Sequence, residues 1–182
     1  LKKRLFDIII SSTGVIVLLP VFLVTYLLAC VDTGSNGWFF QQRVGRHGKL
    51  FMIYKLKTVH PQTHNISSLG KWFRKYKLDE LPQLFNVLNG SMSLVGPRPD
   101  VPGYYDRLKK EERCLLELRP GITSAAAIKY RNEEALLSKQ VDPDDYNDHV
   151  LFPDKVRMNL HYYHTRSFWG DICILLRTLS RH

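Results

Sequence analysis

From Ile8 to Val31 the chain runs for 24 residues without one charged side chain. As a single helix rising 1.5 Å per residue, such a run reaches about 36 Å, enough for the roughly 30 Å hydrocarbon core of a bilayer. The run is too long for a cleaved signal, and no small-x-small cleavage motif follows it. A soluble protein rarely spends so many unbroken apolar positions on a core helix. Three details complicate a simple span. Pro20 sits mid-run, where it removes a backbone hydrogen bond. Asp7 lies at the N-terminal edge, where an unpaired charge is expensive in lipid. Cations flank both ends: Lys2, Lys3 and Arg4 before, Arg43, Arg46 and Lys49 after. That symmetry gives no orientation for a span and suits a hairpin that dips in, breaks at Pro20 and returns.

Beyond this segment the pattern changes. "GWFFQQRVG" and "KLFMIYKLKTV" are rich in aromatic and branched residues and are separated by a Gly45-Arg46-His47-Gly48 turn, which predicts a strand pair. "GKWFRKY" sets Trp72, Phe73 and Tyr76 against Lys71, Arg74 and Lys75, the pattern of a helix lying at a membrane surface. A short helix is expected from Leu81 to Leu88, with Pro82 in its first turn and Gly90 ending it. "VPGYYDRLKKEERCLL", "RNEEALLSK" and "PDKVRMNLHYYH" read as helical and "VDPDDYND" as a loop. Phe168, Ile172, Leu175, Leu176 and Leu179 recur at helical spacing behind Ser167, a natural N-cap. The expected fold is α+β and mostly helical: a membrane helix, amphipathic interfacial helices and a small sheet. Residues 1–31 are expected to be the membrane segment and 32–182 a membrane-associated domain, with no repeat or linker dividing the latter. The sequence opens on Leu1 rather than Met, which leaves open whether residues precede it.

Charge sharpens the picture because it is so unevenly spread. The formal net charge is +9, and residues 1–78 hold 12 Lys and Arg against the two acids Asp7 and Asp32. No acid occurs from Thr33 to Leu78. Such a half attracts phosphate, whether of a lipid headgroup, a nucleotide or a nucleic acid. The cysteines Cys30, Cys114 and Cys173 are distant and odd in number, suggesting neither a disulfide framework nor a metal knuckle. His60/His64 and His161/His164 have ligand-like spacings but no third partner in view, and read as loop and helix-surface residues.

Asp79 and Glu80 end the acid-free stretch, just ahead of the Pro82 helix. Adjacent residues on a helix diverge by about 100°, so the two carboxylates suit two tasks better than one shared proton. Mg2+ takes one or two carboxylates together with phosphate oxygens and waters. The remaining carboxylate, aimed at a phosphorus atom, is a plausible nucleophile. Arg98 is mounted between Pro97 and Pro99, and Arg119-Pro120-Gly121 repeats that stiff setting, suited to guanidinium–phosphate pairing. Taken singly, these pieces read as a capped helix followed by a proline turn. A nucleic-acid-binding module would explain the basic half but not the apolar run; a non-catalytic membrane scaffold would explain the helices but not the rigid arginines beside an acidic pair.

The series "KKRLFDIII…LLP", "GWFFQQRVGRHGKLFMIYKLKT", "LDELPQLFNVLNGSMSLVGPRP" and "LRPGIT", in this order and spacing, resembles the bacterial sugar transferase family, the small monotopic phosphoglycosyl transferases. The resemblance covers the chain to about Thr123. It implies transfer of a sugar phosphate from a UDP-sugar to polyprenol phosphate with release of UMP, through a covalent phosphosugar on the aspartate. It implies Asp79 as nucleophile, Glu80 as Mg2+ ligand, Lys55 and Arg74 lining the phosphate site, and Arg98 on the nucleotide. Arg119 and Arg131 are further candidates there. It also implies a re-entrant helix broken at Pro20 and anchored by Arg4 and Asp7, on the cytoplasmic face of a bacterial inner membrane with anionic lipid headgroups. No nucleic acid is expected; an isologous homodimer is compatible. The sequence departs from the family at Leu19-Pro20, where Ser commonly precedes the proline, and at "SAAAIKYRNEE" after Thr123, where a different sugar or nucleotide pocket would follow.

Overall fold

The computed structural model describes residues 2–180 and divides into two compact units. The first comprises residues 1–43 and 50–94, the second residues 44–49 and 95–182.

In the first unit, α1 (Lys2–Thr33) is long and apolar enough to cross a membrane. Its burial is inverted relative to a soluble helix. The residues it buries are Asp7, Ser11, Thr25, Ala29 and Thr33, all small or polar. Its exposed residues include Ile9, Ile16, Val17, Leu23, Val24, Leu27 and Val31. Small and hydrogen-bonding side chains face protein while large apolar ones face outward, the arrangement expected of a helix in lipid. The expected break into two helices is not observed: α1 is helical on both sides of Pro20. Proline costs only its own N–H bond and a local clash, which a long helix absorbs as a kink rather than an end. Just beyond it, Thr25 Oγ1 donates to the carbonyls of Val21 and Phe22 at 2.8 and 3.0 Å, the back-bonding that bends helices.

The hairpin of β1 (Trp38–Val44) and β2 (Leu50–Leu56) forms as the aromatic and branched runs on either side of the Gly45–Gly48 turn predicted. Helix α2 (Ser68–Lys75) is capped by Ser67, whose hydroxyl accepts from Gly70 N–H and donates to Asp32 Oδ2 at 2.7 Å. A side chain at Gly70 would lie 2.6 Å from the Thr58 carbonyl, so only glycine lets α2 approach this closely. The aromatic face expected on α2 is divided. Trp72 and Tyr76 stay half-exposed with ring centroids 5.3 Å apart, while Phe73 turns into a core with Ala29 and Leu56. Helix α3 (Gln83–Leu88) follows, then β3 (Ser93–Val95), at whose end the second unit resumes.

In the second unit, Gly96 N–H donates to Thr123 of β4 (Gly121–Thr123) at 3.0 Å. Gly96 and Gly121 are in backbone contact, with room for a Cβ on neither. Helices α4 (Ala125–Lys129), α5 (Glu133–Leu137), α6 (Pro143–Tyr146), α7 (Phe152–Thr165) and α8 (Phe168–Ser180) complete it. Its core gathers Val44, Tyr105, Leu108, Leu115, Leu116 and Val156. The helix expected over residues 101–116 is instead two 3-10 segments, Tyr105–Arg107 and Lys110–Glu117, interrupted where Lys110 takes a positive φ of 49°. "VDPDDYND" is helical rather than a loop: Asp142 accepts from the N–H groups of Asp144 and Asp145, and Pro143 opens the first turn. That is an N-cap followed by proline at N1, a helix start that acidic composition concealed.

Candidate active site

The acidic pair is set by a backbone reversal. Helix α2 ends at Lys75, and Lys77 takes left-handed φ/ψ of 57° and 23°. Its N–H donates to the Arg74 carbonyl at 3.2 Å, and its own carbonyl accepts from Glu80 N–H at 3.1 Å. Residues Leu78–Glu80 thereby close into one 3-10 turn, and Pro82 then leads into α3. Asp79 and Glu80 are both buried, at 7% and 8% exposure. Asp79 Oδ1 has no hydrogen-bond partner among the described residues.

Cations surround the pair. Lys55 Nζ of β2 lies 2.9 Å from Glu80 Oε1, with both side chains largely enclosed. Arg74 Nε donates to the buried Thr58 hydroxyl at 3.0 Å, which fixes the guanidinium on this side of α2. Burial, reinforced by the Glu80 charge, pushes the Asp79 carboxyl up to about 6, against the opposing pull of Lys55, Lys77 and Arg74. The structure thus brings together Lys55, Arg74, Asp79 and Glu80 of the residues the sequence singled out. Arg98, Arg119 and Arg131 belong to the second unit.

Two positioning features escaped the sequence. Asn86, buried within α3, donates to the Met52 carbonyl at 2.8 Å and accepts from Tyr54 N–H at 2.9 Å. It fixes the helix after the acidic pair to the strand that carries Lys55. Its only sequence signal was an amide inside the apolar "LFNVL". Lys77 is the other, since nothing in a Lys codes for a left-handed turn.

Arg4 and Asp7 anchor α1, but to protein. The Arg4 guanidinium donates to the Val87 and Leu88 carbonyls at 2.6 and 2.9 Å, at the negative end of α3. Asp7 accepts from the Ser93 hydroxyl at 2.8 Å and from Leu94 N–H at 3.2 Å. The acid that looked expensive is therefore satisfied. At the other end, Asp32 accepts from Ser67, so both ends of α1 are tied within the same unit.

Among the described residues no group of three or more His, Cys, Asp or Glu could hold a metal by itself. In the second unit, the departure after Thr123 is held onto α7. Asp154 accepts from Lys129 Nζ and the Tyr130 hydroxyl, each at 2.6 Å, and from Arg157, which together hold its carboxyl well below the usual carboxylate range.

The family model described as bacterial sugar transferase matches residues 1–182. An uncharacterized sugar transferase of Haemophilus influenzae is 33% identical, covering 98% of this chain and 40% of the relative. An undecaprenyl-phosphate galactose phosphotransferase of Salmonella typhimurium is 32% identical, covering 97% of this chain and 39% of the relative. A putative undecaprenyl-phosphate N-acetylgalactosaminyl 1-phosphate transferase of Bacillus subtilis is 36% identical over 62% of this chain and 76% of its own length. The chain thus spans about two fifths of the length of the first two relatives.

Proposed function

This chain belongs to the bacterial sugar transferase family, and from that premise we propose that it moves a sugar-1-phosphate from a UDP-sugar to polyprenol phosphate, releasing UMP. The observation that carries the reading is the buried Asp79–Glu80 pair ringed by Lys55, Arg74 and Lys77, with one Asp79 oxygen left without a partner. A nucleophile needs such an oxygen, and an anionic donor needs such cations.

In the first half-reaction the Asp79 carboxylate attacks the phosphorus that bears the sugar. A P–O bond forms to Asp79 and the P–O bond to UMP breaks, so UMP leaves with the electron pair. In the second, a phosphate oxygen of polyprenol phosphate attacks the aspartyl phosphosugar and Asp79 regains its carboxylate. Lys55 and Arg74 would hold the donor phosphates; Arg98, Arg119 and Arg131 are the candidates for the nucleotide, on the family likeness. The donor set fits Mg2+, which in sites of this kind takes one or two carboxylates plus substrate oxygens. Glu80 would hold it, and bound there it would offset the charge developing on the phosphates.

The same reading makes α1 re-entrant and the protein monotopic on the cytoplasmic face. Its support is that cations flank both ends of the apolar run, which gives no orientation for a span, and that Pro20 lies mid-run. The test of the chemistry is an intact mass after incubating the detergent-held protein with Mg2+ and a panel of UDP-sugars, without acceptor. The expected result is a gain of one phosphosugar that is lost in Asp79→Asn. UMP release only when polyprenol phosphate is present, with no adduct, would replace the covalent route by direct transfer.

A further inference from the structure

The carboxylate that would take the metal already carries a partner. Lys55 Nζ sits 2.9 Å from Glu80 Oε1, with side-chain exposures of 18% and 9%. An ammonium and a divalent cation cannot both approach one enclosed carboxylate at contact distance without strong repulsion, which low dielectric magnifies. The wider charge balance points the same way. With both acids ionised, Asp79 and Glu80 against Lys55, Lys77 and Arg74 leave one net positive charge around the pair. A lone divalent cation would raise that to three in a largely water-excluded place. A diphosphate of about two negative charges arriving with it would return the site to its starting balance, and would offer Lys55 a second anion to move to.

We propose that Lys55 and the metal compete for Glu80, and that the donor's diphosphate resolves the competition by drawing Lys55 away, so that metal and nucleotide bind as one coupled event. The inference rests on the reading of Glu80 as metal ligand and a nucleoside diphosphate as donor fragment. Lys55 is then more than a phosphate ligand: it keeps Glu80 from binding a cation until the substrate is present. Because coupling between two ligands is reciprocal, metal must tighten nucleotide by the same factor that nucleotide tightens metal.

The test is calorimetric titration of the purified full chain in detergent, with Mg2+ alone, UDP alone and each in the presence of the other. Wild type is expected to bind Mg2+ at least tenfold more tightly with UDP than without, and UDP more tightly with Mg2+ by the same factor. In Lys55→Met, Mg2+ affinity without UDP rises at least tenfold and the coupling shrinks towards unity. Lys55→Arg keeps a cation against Glu80 and retains most of the coupling, and thermal unfolding of both variants verifies that they are folded. Equal Mg2+ affinity with and without UDP in wild type overturns the proposal, as does an unchanged Mg2+ affinity in a folded Lys55→Met. If UDP binds and Mg2+ does not depend on it, only this inference fails. If UDP fails to bind under every condition, the donor reading itself is lost and this inference with it.

Discussion

Asp79 is a carboxyl whose burial opposes its ionisation. Its folded value of about 6 stands above an ordinary value of 3.8, so the folded state holds the proton more tightly than the unfolded chain does. Its contribution to stability is therefore fully present below about pH 4 and is lost as pH rises through about 6. A shift of roughly two units corresponds to about 3 kcal/mol. Asp79→Asn should accordingly raise stability by about 1–3 kcal/mol at pH 7.5 and by much less at pH 4, in denaturant or thermal unfolding, while abolishing adduct formation. The nucleophile itself must be ionised, so the rate of UMP release without acceptor should climb with pH through about 6 and level off above it. A rate flat between pH 5 and 8 would contradict the role. Asn86 is the complementary case, a buried amide whose removal leaves Tyr54 N–H and the Met52 carbonyl unpaired. Asn86→Ala should cost about 1–3 kcal/mol and lower kcat more than it raises the KM for the donor, since it loosens the strand bearing Lys55 from the acidic turn.

Among the elements, α2 shows how a helix places a site by its packing. Gly70 lets it lie against the Thr58 carbonyl, and Arg74 one turn later reaches the Thr58 hydroxyl. Gly70→Ala must push the helix off that strand end, since the obstructing atom is backbone. The expected outcome is a lowered Tm together with weakened donor affinity; an unchanged UDP affinity in a folded Gly70→Ala would show that Arg74 does not depend on this approach. Helix α1 is set by its few polar residues. Asp7 gathers Ser93 and Leu94, and Arg4 caps α3, while the apolar bulk of the helix stays exposed.

At the scale of the whole molecule the question is how α1 meets the bilayer. With the native cysteines replaced, single cysteines at Lys3 and Ser35 should both react with a membrane-impermeant thiol reagent from the same side of sealed inverted vesicles. Labelling of the two from opposite sides would establish a span. The polarity of the chain fits the first outcome, because cations flank both ends of the apolar run.

Much of this was legible before any coordinates. The apolar run, the aromatic hairpin and the acidic pair at the end of an acid-free stretch are local patterns, and local patterns follow from periodicity and charge. The strands Ser93–Val95 and Gly121–Thr123 were not legible, because three residues show no period. Nor was the inward turn of Phe73, which side-chain spacing could not distinguish from an outward one. The sequence by itself determined where the acidic pair and the cations stand along the chain and that one helix is long and apolar enough to cross a membrane. Only tertiary structure decided that Lys55, 25 positions before Glu80, would close on it, that Asp7 would be satisfied by β3, and that Lys77 would fold the acids into one buried turn. The reason is physical: burial and pairing depend on which distant segments meet, and those meetings set the charge of a carboxyl more strongly than its neighbours in the chain do.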